Sequence, residues 1–511
     1  MKRAYLEIGR ASQINCSRDR ALFRFFQILP GVLSWGTLLS AFVLSWLAPI
    51  VVAIFIIAFD LYWLSRIIYL SFYQVASYKQ MKKNLKINWL EKLKTQNSKS
   101  WQKVYHLVIL PTYKEKIEII ESTFQALEKS VYPKNKMIIV LATEERAGKG
   151  VQEIAKRVRN KWGKNFFRFL ITLHPQNIPG EIAGKGSNVS WAVKKAKEKI
   201  IDPLRIPYEN IIVSVFDVDT RPLPQYFAIL SWHYLNSKKP LRASYQPIPV
   251  YNNNIWEAPA FSRVIASSGT FWQMMQQERP EQLVSFSSHS LAFKTLEEVG
   301  YPSSVVSDDS RIFWKAYFYY NGDYRVVPLH YPVSMDAVIA KTLFQTIINQ
   351  YKQQRRWGWG VENIPYLLFG FLKNKEISLS KKLFHMFNVF DGFWSWANSS
   401  LLIFFLGWLP LILGGEEFNI TLLSYNLPRL TSRLMTIAMI GMVVGVIISR
   451  LLLPPRPARY GGLKNLSMVF QWVLLPLTLI GFGAFPALEA QTRLMFGKPL
   501  GFWITEKVRK Q

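Results

Sequence analysis

Ile211-Ile212-Val213-Ser214-Val215-Phe216-Asp217-Val218-Asp219-Thr220 is the stretch that sets the frame for the rest of the chain. An apolar run rich in β-branched residues reads as a buried strand. It ends in two carboxylates one residue apart. On a strand, alternate side chains share a face, which predicts that Asp217 and Asp219 point the same way. Two adjacent anions repel, and a divalent cation relieves that repulsion. Hard oxygen ligands suit Mg²⁺ or Mn²⁺, usually shared with substrate phosphates. The same text also fits a strand that runs into an acidic surface turn.

Working outward, residues 100–335 alternate strand-like and helix-like segments. His106 to Leu110 is a strand that breaks at Pro111, and Ile117 to Lys129 has helical spacing. Met137 to Leu141 is a second strand, Lys149 to Trp162 a charged helix, Phe167 to Leu173 a third strand and Ser187 to Ile200 a helix. Such alternation implies a parallel sheet covered on both faces. Ligands of such sheets sit at the carboxyl ends of the strands, where the Asp217–Asp219 pair stands.

Both ends of the chain are apolar. Half of the 511 residues are hydrophobic, and no charged residue occurs from Phe25 to Phe59. That run is too long for one span of ~20 residues, and Pro49 divides it into helices expected at 26–47 and 50–72. The first apolar run is also too long for the h-region of a signal peptide. Arg18, Arg20 and Arg24 precede the first helix, while Arg66, Lys79, Lys82 and Lys83 end or follow the second, so both flanks read as cytoplasmic. Asp60 falls inside the second helix, either as a functional acid or as a packing contact. Phe393–Leu413 and Leu434–Leu453 are again of span length. The stretch Met468–Leu488 carries Pro476 and Pro486 and is followed by a basic tail, so it reads as interfacial or re-entrant. The net charge of +30 follows the membrane ends and the 79–199 region, which favours membrane surface and phosphate over nucleic acid. With Cys16 as the one cysteine, no intrachain disulfide forms.

Three further motifs carry chemistry. Ser307-Asp308-Asp309 precedes a helix at Arg311–Tyr319. Ser307 or Asp308 would serve as its cap, and Asp309 is a candidate general base for an attacking alcohol. Gln353-Gln354-Arg355-Arg356-Trp357 lies on a helix, which sets Gln353, Arg356 and Trp357 on one face. An Arg offers paired donors to phosphate, and a Trp offers a flat face to a sugar ring. An interfacial Trp–Arg pair at a membrane surface has the same text. Gly184-Lys185-Gly186-Ser187-Asn188 fails the P-loop spacing, yet a loop leading into a helix N-terminus still suits phosphate.

In order, these motifs resemble those of the membrane-embedded family 2 glycosyltransferases, the group of cellulose, chitin and hyaluronan synthases and ceramide glucosyltransferase. Leu110 to Glu115 resembles the opening strand and loop, Gly184-Lys185 and Asn188 the donor loop, and Asp217-Val218-Asp219 the metal motif. Ser307-Asp308-Asp309 stands where the family has Thr-Glu-Asp, and Gln353 to Trp357 matches Gln-x-x-Arg-Trp. Phe502-Trp503-Ile504-Thr505-Glu506-Lys507 looks like the gating loop of bacterial cellulose synthase. The family's acid after the second strand is usually Asp; here Ala142-Thr143 leads into Glu144-Glu145, and either glutamate suits the nucleotide base.

The resemblance implies a cytoplasmic α/β GT-A-like (Rossmann-like) glycosyltransferase domain at 74–360, set between α-helical transmembrane segments. It further implies a cytoplasmic segment at 1–25, two transmembrane helices in 26–73, interfacial helices at 361–392, two more spans in 393–453, and a cytoplasmic interfacial helix and gating-loop-like tail at 454–511. Both termini would be cytoplasmic, at the plasma (inner) membrane. The implied activity is metal-dependent, inverting transfer from a nucleotide-diphosphate sugar, uridine-linked by resemblance, onto a growing polysaccharide that crosses the membrane. Single transfer to a lipid acceptor, or sugar-nucleotide binding without turnover, are the alternatives. The implied roles are Asp309 as base; Thr112, Glu115, Glu144, Lys185, Asn188, Asp217 and Arg356 at the donor; and Gln353, Trp357 and Asp308 at the acceptor or product. Asp217 and Asp219 would hold Mg²⁺ or Mn²⁺, and Phe502, Thr505 and Lys507 would act in gating.

Overall fold

The computed structural model describes residues 4–97 and 100–501. Eight strands form one mixed sheet: β1 (Tyr105–Pro111), β2 (Met137–Glu144), β3 (Arg168–His174), β4 (Ile211–Val215), β5 (Arg221–Pro222), β6 (Ala243–Val250), β7 (Ser290–Ala292) and β8 (Arg325–Ser334). Their order is β3-β2-β1-β4-β7-β6-β8-β5. The β3-β2-β1-β4 half is parallel throughout, as the alternation predicts. Beyond it the pairing turns mixed, with β7 antiparallel to β4 and to β6.

Residue alternation divides the core in two. Leu107 and Ile109 of β1, with Val213 and Val215 of β4, pack on the Lys185–Ala196 helix and the Asp308–Tyr319 helix. Val108, Leu110 and Ile212 face the other way, onto the Ile117–Glu128 and Tyr226–Asn236 helices. A period of two sends successive side chains to opposite faces, and both faces are covered. The chain thus forms an α/β domain with a mixed sheet covered on both faces, set between long apolar helices.

Among the described residues, four helices are long and apolar enough to cross a membrane: Ser17–Leu47, Pro49–Leu85, Leu422–Leu451 and the composite Gly462–Met495. Their outward faces carry large exposed apolar side chains, among them Trp46, Phe72, Ile440 and Val473. Soluble monomers rarely expose large apolar side chains in such numbers along one helix. Phe393–Leu413 differs from the expectation of one continuous helix. The Leu379–Leu401 helix gives way to a π segment at Leu402–Leu406, and a short helix resumes at Leu409–Leu413. Pro410, with no N–H to donate, is a sufficient cause of that break.

The Gly462–Met495 segment packs against the Leu343–Gly358 helix that carries the Gln-x-x-Arg-Trp motif. Glu489 accepts from Tyr351 Oη at 3.0 Å and pairs with Arg355 at 2.6 Å and Arg493 at 3.0 Å. Gly358 favours this close approach, because a Cβ would lie 3.1 Å from the Ala487 backbone and would push the two segments slightly apart.

Candidate active site

The acidic stretch leaves the sheet before its first carboxylate. β4 ends at Val215, Phe216 N donates to Ile109 O at 3.0 Å, and Thr220 N closes a turn on Asp217 O at 2.8 Å. Asp217 and Asp219 therefore stand in a turn and do not share a strand face, contrary to the expectation drawn from alternation. Asp219 is buried, and its carboxylate accepts from Asp336 N at 2.9 Å. Asn253 ties the same corner by donating to Asp219 O at 3.1 Å and to the Asp336 carboxylate at 2.8 Å. Asp217 instead keeps a third of its side chain open (32%) and accepts from Ser287 Oγ at 2.5 Å.

Lys185 joins the two acidic motifs. It stands at the start of the Lys185–Ala196 helix, and Gly186 lets that helix approach closely: a Cβ would lie 2.5 Å from Pro302 O and 3.0 Å from Asp308 Cβ. The ammonium lies 2.8 Å from Asp217 Oδ1 and 2.8 and 3.0 Å from the two oxygens of Asp309. Burial opposes its charge, but Asp217, Asp309 and Asp308 hold it protonated, above the ordinary lysine range.

Asp308 turns the other way from Asp309. It is 3% exposed, accepts from Tyr301 Oη at 3.0 Å, and is pushed up to about 7 by burial and then by the neighbouring Asp309 charge. Ser307 occupies the N-cap position, but its side chain does not cap the helix. It donates to Glu362 Oε1 at 2.7 Å. The same oxygen accepts from Val306 N at 3.0 Å and Ser307 N at 2.8 Å, while Oε2 accepts from Trp359 Nε1 at 2.9 Å. Glu362 thus clamps the acidic loop to the end of the motif helix. His289 is fully buried under Asp309, with Nδ1 3.6 Å from Asp309 Oδ1 and 2.9 Å from Phe286 O. Burial pushes its imidazole down, so it lies under the acid as a neutral ring.

Of the residues expected at the donor, Thr112, Glu115, Asn188 and Glu144 line the carboxyl ends of β1 and β2. Thr112 N and Asn188 Nδ2 both donate to Ala142 O, at 2.8 and 2.9 Å. Glu115 accepts from Thr112 Oγ1 at 2.9 Å and Tyr113 N at 2.7 Å, which closes the loop after β1. Of the two glutamates, Glu144 ends β2, buried and paired with Arg146, whose guanidinium lies over the Tyr113 ring. Glu145 turns outward and accepts from Gln176 N at 3.0 Å.

On the motif helix, Gln353 is buried and accepts from Gln350 Nε2 at 3.2 Å. Arg356 and Trp357 are half-buried, and the Trp357 ring lies 6.1 Å from the Tyr251 ring. Burial and the nearby Asp217 and Asp219 push the Tyr251 phenol up. Phe502, Thr505 and Lys507 lie outside the described residues.

Among the described residues no three His, Cys, Asp or Glu side chains converge as a metal set. Mg²⁺ and Mn²⁺ sites often use one or two carboxylates together with substrate phosphates. The half-open Asp217 fits that pattern, whereas Asp219 is engaged by Asp336 N.

No protein-family model matches the chain, and no curated protein does. Among solved structures it is similar to a mannosyltransferase of Pyrobaculum calidifontis in complex with GDP-Man and Mn²⁺. That match has 14% identity and a TM-score of 0.39, over 84% of this chain and 100% of the other. It is also similar to S. aureus TarS 1-349 in complex with UDP-GlcNAc, at 10% identity and a TM-score of 0.37, over 73% of this chain and 91% of the other.

Proposed function

We propose that the chain is a membrane-bound glycosyltransferase that moves a sugar, with inversion, from a nucleotide-diphosphate sugar onto a growing polysaccharide. One observation carries the reading: a single buried ammonium, Lys185, touches both the half-open Asp217 and the half-open Asp309 at the carboxyl ends of the parallel strands. That cluster pairs a phosphate-binding group with a base.

The donor diphosphate meets Lys185 and Arg356 as charge partners. Asp217, together with the donor's phosphates, would hold Mg²⁺ or Mn²⁺, which would supply Lewis-acid neutralisation of charge on the diphosphate. Asp309 takes the proton of the acceptor hydroxyl, whose oxygen forms the new bond to the anomeric carbon as the bond to the diphosphate breaks on the opposite face. Trp357, beside Tyr251, offers a ring on which the acceptor sugar stacks. Glu144, with Tyr113 and Arg146, faces the base of the donor, which resemblance makes uridine.

In the membrane, the helices Ser17–Leu47 and Pro49–Leu85 form an outward and return pair. The broken 379–413 segment and Leu422–Leu451 form a second pair. Arg450 Nη1 donates to Asn465 Oδ1 at 3.1 Å, and Arg24 Nη1 to Leu494 O at 2.9 Å. Both ends of Gly462–Met495 thus meet arginines that the charge rule places in the cytoplasm, which supports an interfacial or re-entrant course.

The test is diphosphate release by purified protein from a panel of sugar nucleotides with Mn²⁺ or Mg²⁺. Release with one donor, lost on chelation and in Asp309→Asn, is the expected result. Long products support polymerisation, and one sugar on lipid supports single transfer. Nucleotide binding without any release would make the chain a sensor instead. Resistance to alkaline extraction tests the membrane spans separately.

A further inference from the structure

Within the helix bundle, a cavity of about 300 Å³ opens between Pro49–Leu85, the π segment at Leu402–Leu406 and Leu422–Leu451. Asp60, Leu406, Gly407, Trp408, Thr431 and Ser432 contribute to its wall. Asp60 is only 4% exposed, and among the described residues it makes no hydrogen bond or ion pair. It lies eleven residues past Pro49, roughly 17 Å along the helix axis. If these helices span as proposed above, that is close to the middle of a ~30 Å hydrocarbon layer.

An unpaired carboxylate at that depth is unfavourable unless it takes up a proton or a cation meets it. The protein supplies none at the wall. Among the described residues no other titratable side chain lines the cavity. Arg66, six residues further on, is paired with Asp391 at 3.1 Å, and Arg429 donates to Tyr425 Oη at 2.7 Å. Oxygen is supplied instead. Thr431 Oγ1 donates its proton to Leu427 O at 3.0 Å, which leaves its lone pairs available. Ser432 adds a second hydroxyl. Pro410 offers no N–H to the carbonyl of Leu406, four residues earlier, at the break in the helix.

We propose that this cavity is an intramembrane site for a monovalent alkali cation, with Asp60 as its anionic ligand and the Thr431 and Ser432 hydroxyls and the Leu406 carbonyl as neutral oxygen ligands. Charge sets the valence. One carboxylate neutralises one positive charge, whereas a divalent ion would leave an uncompensated charge in hydrocarbon. Size sets the hydration. At about 30 Å³ per water, the cavity holds the ion with several of its waters, so the protein need not supply a full ligand shell.

The test is thermal unfolding of the purified full-length protein in NaCl, KCl or choline chloride at matched ionic strength, followed by tryptophan fluorescence. A ligand that binds only the folded state raises Tm with the logarithm of its concentration. The expected result is a rise of a few degrees in NaCl or KCl that choline does not give, abolished in Asp60→Asn and reduced in Ser432→Ala. Equal response to all three salts, or the same cation response in wild type and Asp60→Asn, overturns the site. If Asp60→Asn does not fold, the wild-type comparison of alkali with choline still decides. The readout uses no sugar donor, so a chain that proves inactive in transfer leaves this test intact.

Discussion

The loop at Asp217–Asp219 and the loop at Ser307–Asp309 solve one problem in the same way. Each brings two carboxylates to the carboxyl end of the sheet. In each, one carboxylate stays half-open on Lys185, Asp217 in the first and Asp309 in the second. The other is turned inward and satisfied, Asp219 by Asp336 N and Asp308 by Tyr301 Oη. Four acids within one site would repel strongly if all were open. Sorting them into two outward groups and two holding groups leaves one ammonium to balance the outward pair. The lesson is that each acidic motif divides into a chemical residue and a residue that fixes its loop. The difference between the loops lies in how the inner acid is satisfied: a backbone N–H for Asp219, a phenol for Asp308.

Breaking the outward pair gives the largest effects. Asp309→Asn keeps shape and removes the proposed base, so donor turnover is expected to fall ~10²–10⁴-fold with little change in donor KM. Unchanged turnover would end the assignment of Asp309. Lys185→Met removes the ammonium from both acids at once. A hydrogen bond to a charged group contributes about 1.5–3 kcal/mol, so a loss of roughly 10–100-fold is expected, seen in donor KM as well as in kcat. A larger effect on donor KM than Asp309→Asn gives would separate the phosphate-binding role from the base.

The clamp comes next. Glu362→Ala strands four donors, two of them backbone N–H groups of the acidic loop. Each buried donor left unpaired costs about 1–3 kcal/mol. A lower Tm and a fall in kcat with donor KM retained are expected, because the second loop moves while the first does not. An equal fall in kcat and donor affinity would show that Glu362 serves the whole site.

How much of this was legible follows from the same contrast. The parallel half was readable, because apolar β-branched runs alternate with helical spacing and the boundaries of β1 to β4 fall within a few residues of expectation. The mixed half was not. β5 has two residues and β7 three, too short for any period, while Pro247, Pro249, Pro328 and Pro332 interrupt β6 and β8. Lys185, Asp217 and Asp309 were identified as site candidates from their motifs, yet their mutual contact joins residues 124 positions apart. The orientation of Asp219 was misread because the strand stops at Val215, short of either acid. Glu362 gave one sequence signal, a lone acid after a basic helix, and its partners only appear once the loop at 306–307 is folded against it.

Asp219 and Asp308 give the smaller effects, and they sharpen the comparison most. Asp219→Asn retains an acceptor for Asp336 N, so turnover falls less than in Asp217→Asn; the reverse order would show that Asp219 reaches the donor. Asp308 is read by pH instead. Burial raises its carboxyl to about 7 in the folded chain, above the ordinary value of 3.8. Between those values the folded state binds more protons than the unfolded one, so this group makes stability fall as pH rises from about 4 towards 7. Asp308→Asn removes the proton and its linkage while keeping a partner for Tyr301. The wild type is expected to lose roughly 3–4 kcal/mol across that window relative to the variant, measured as a difference in the slope of Tm against pH. Parallel slopes for wild type and Asp308→Asn would mean that the inner acid of the second loop is held as an anion, and that Lys185 balances more than the outward pair.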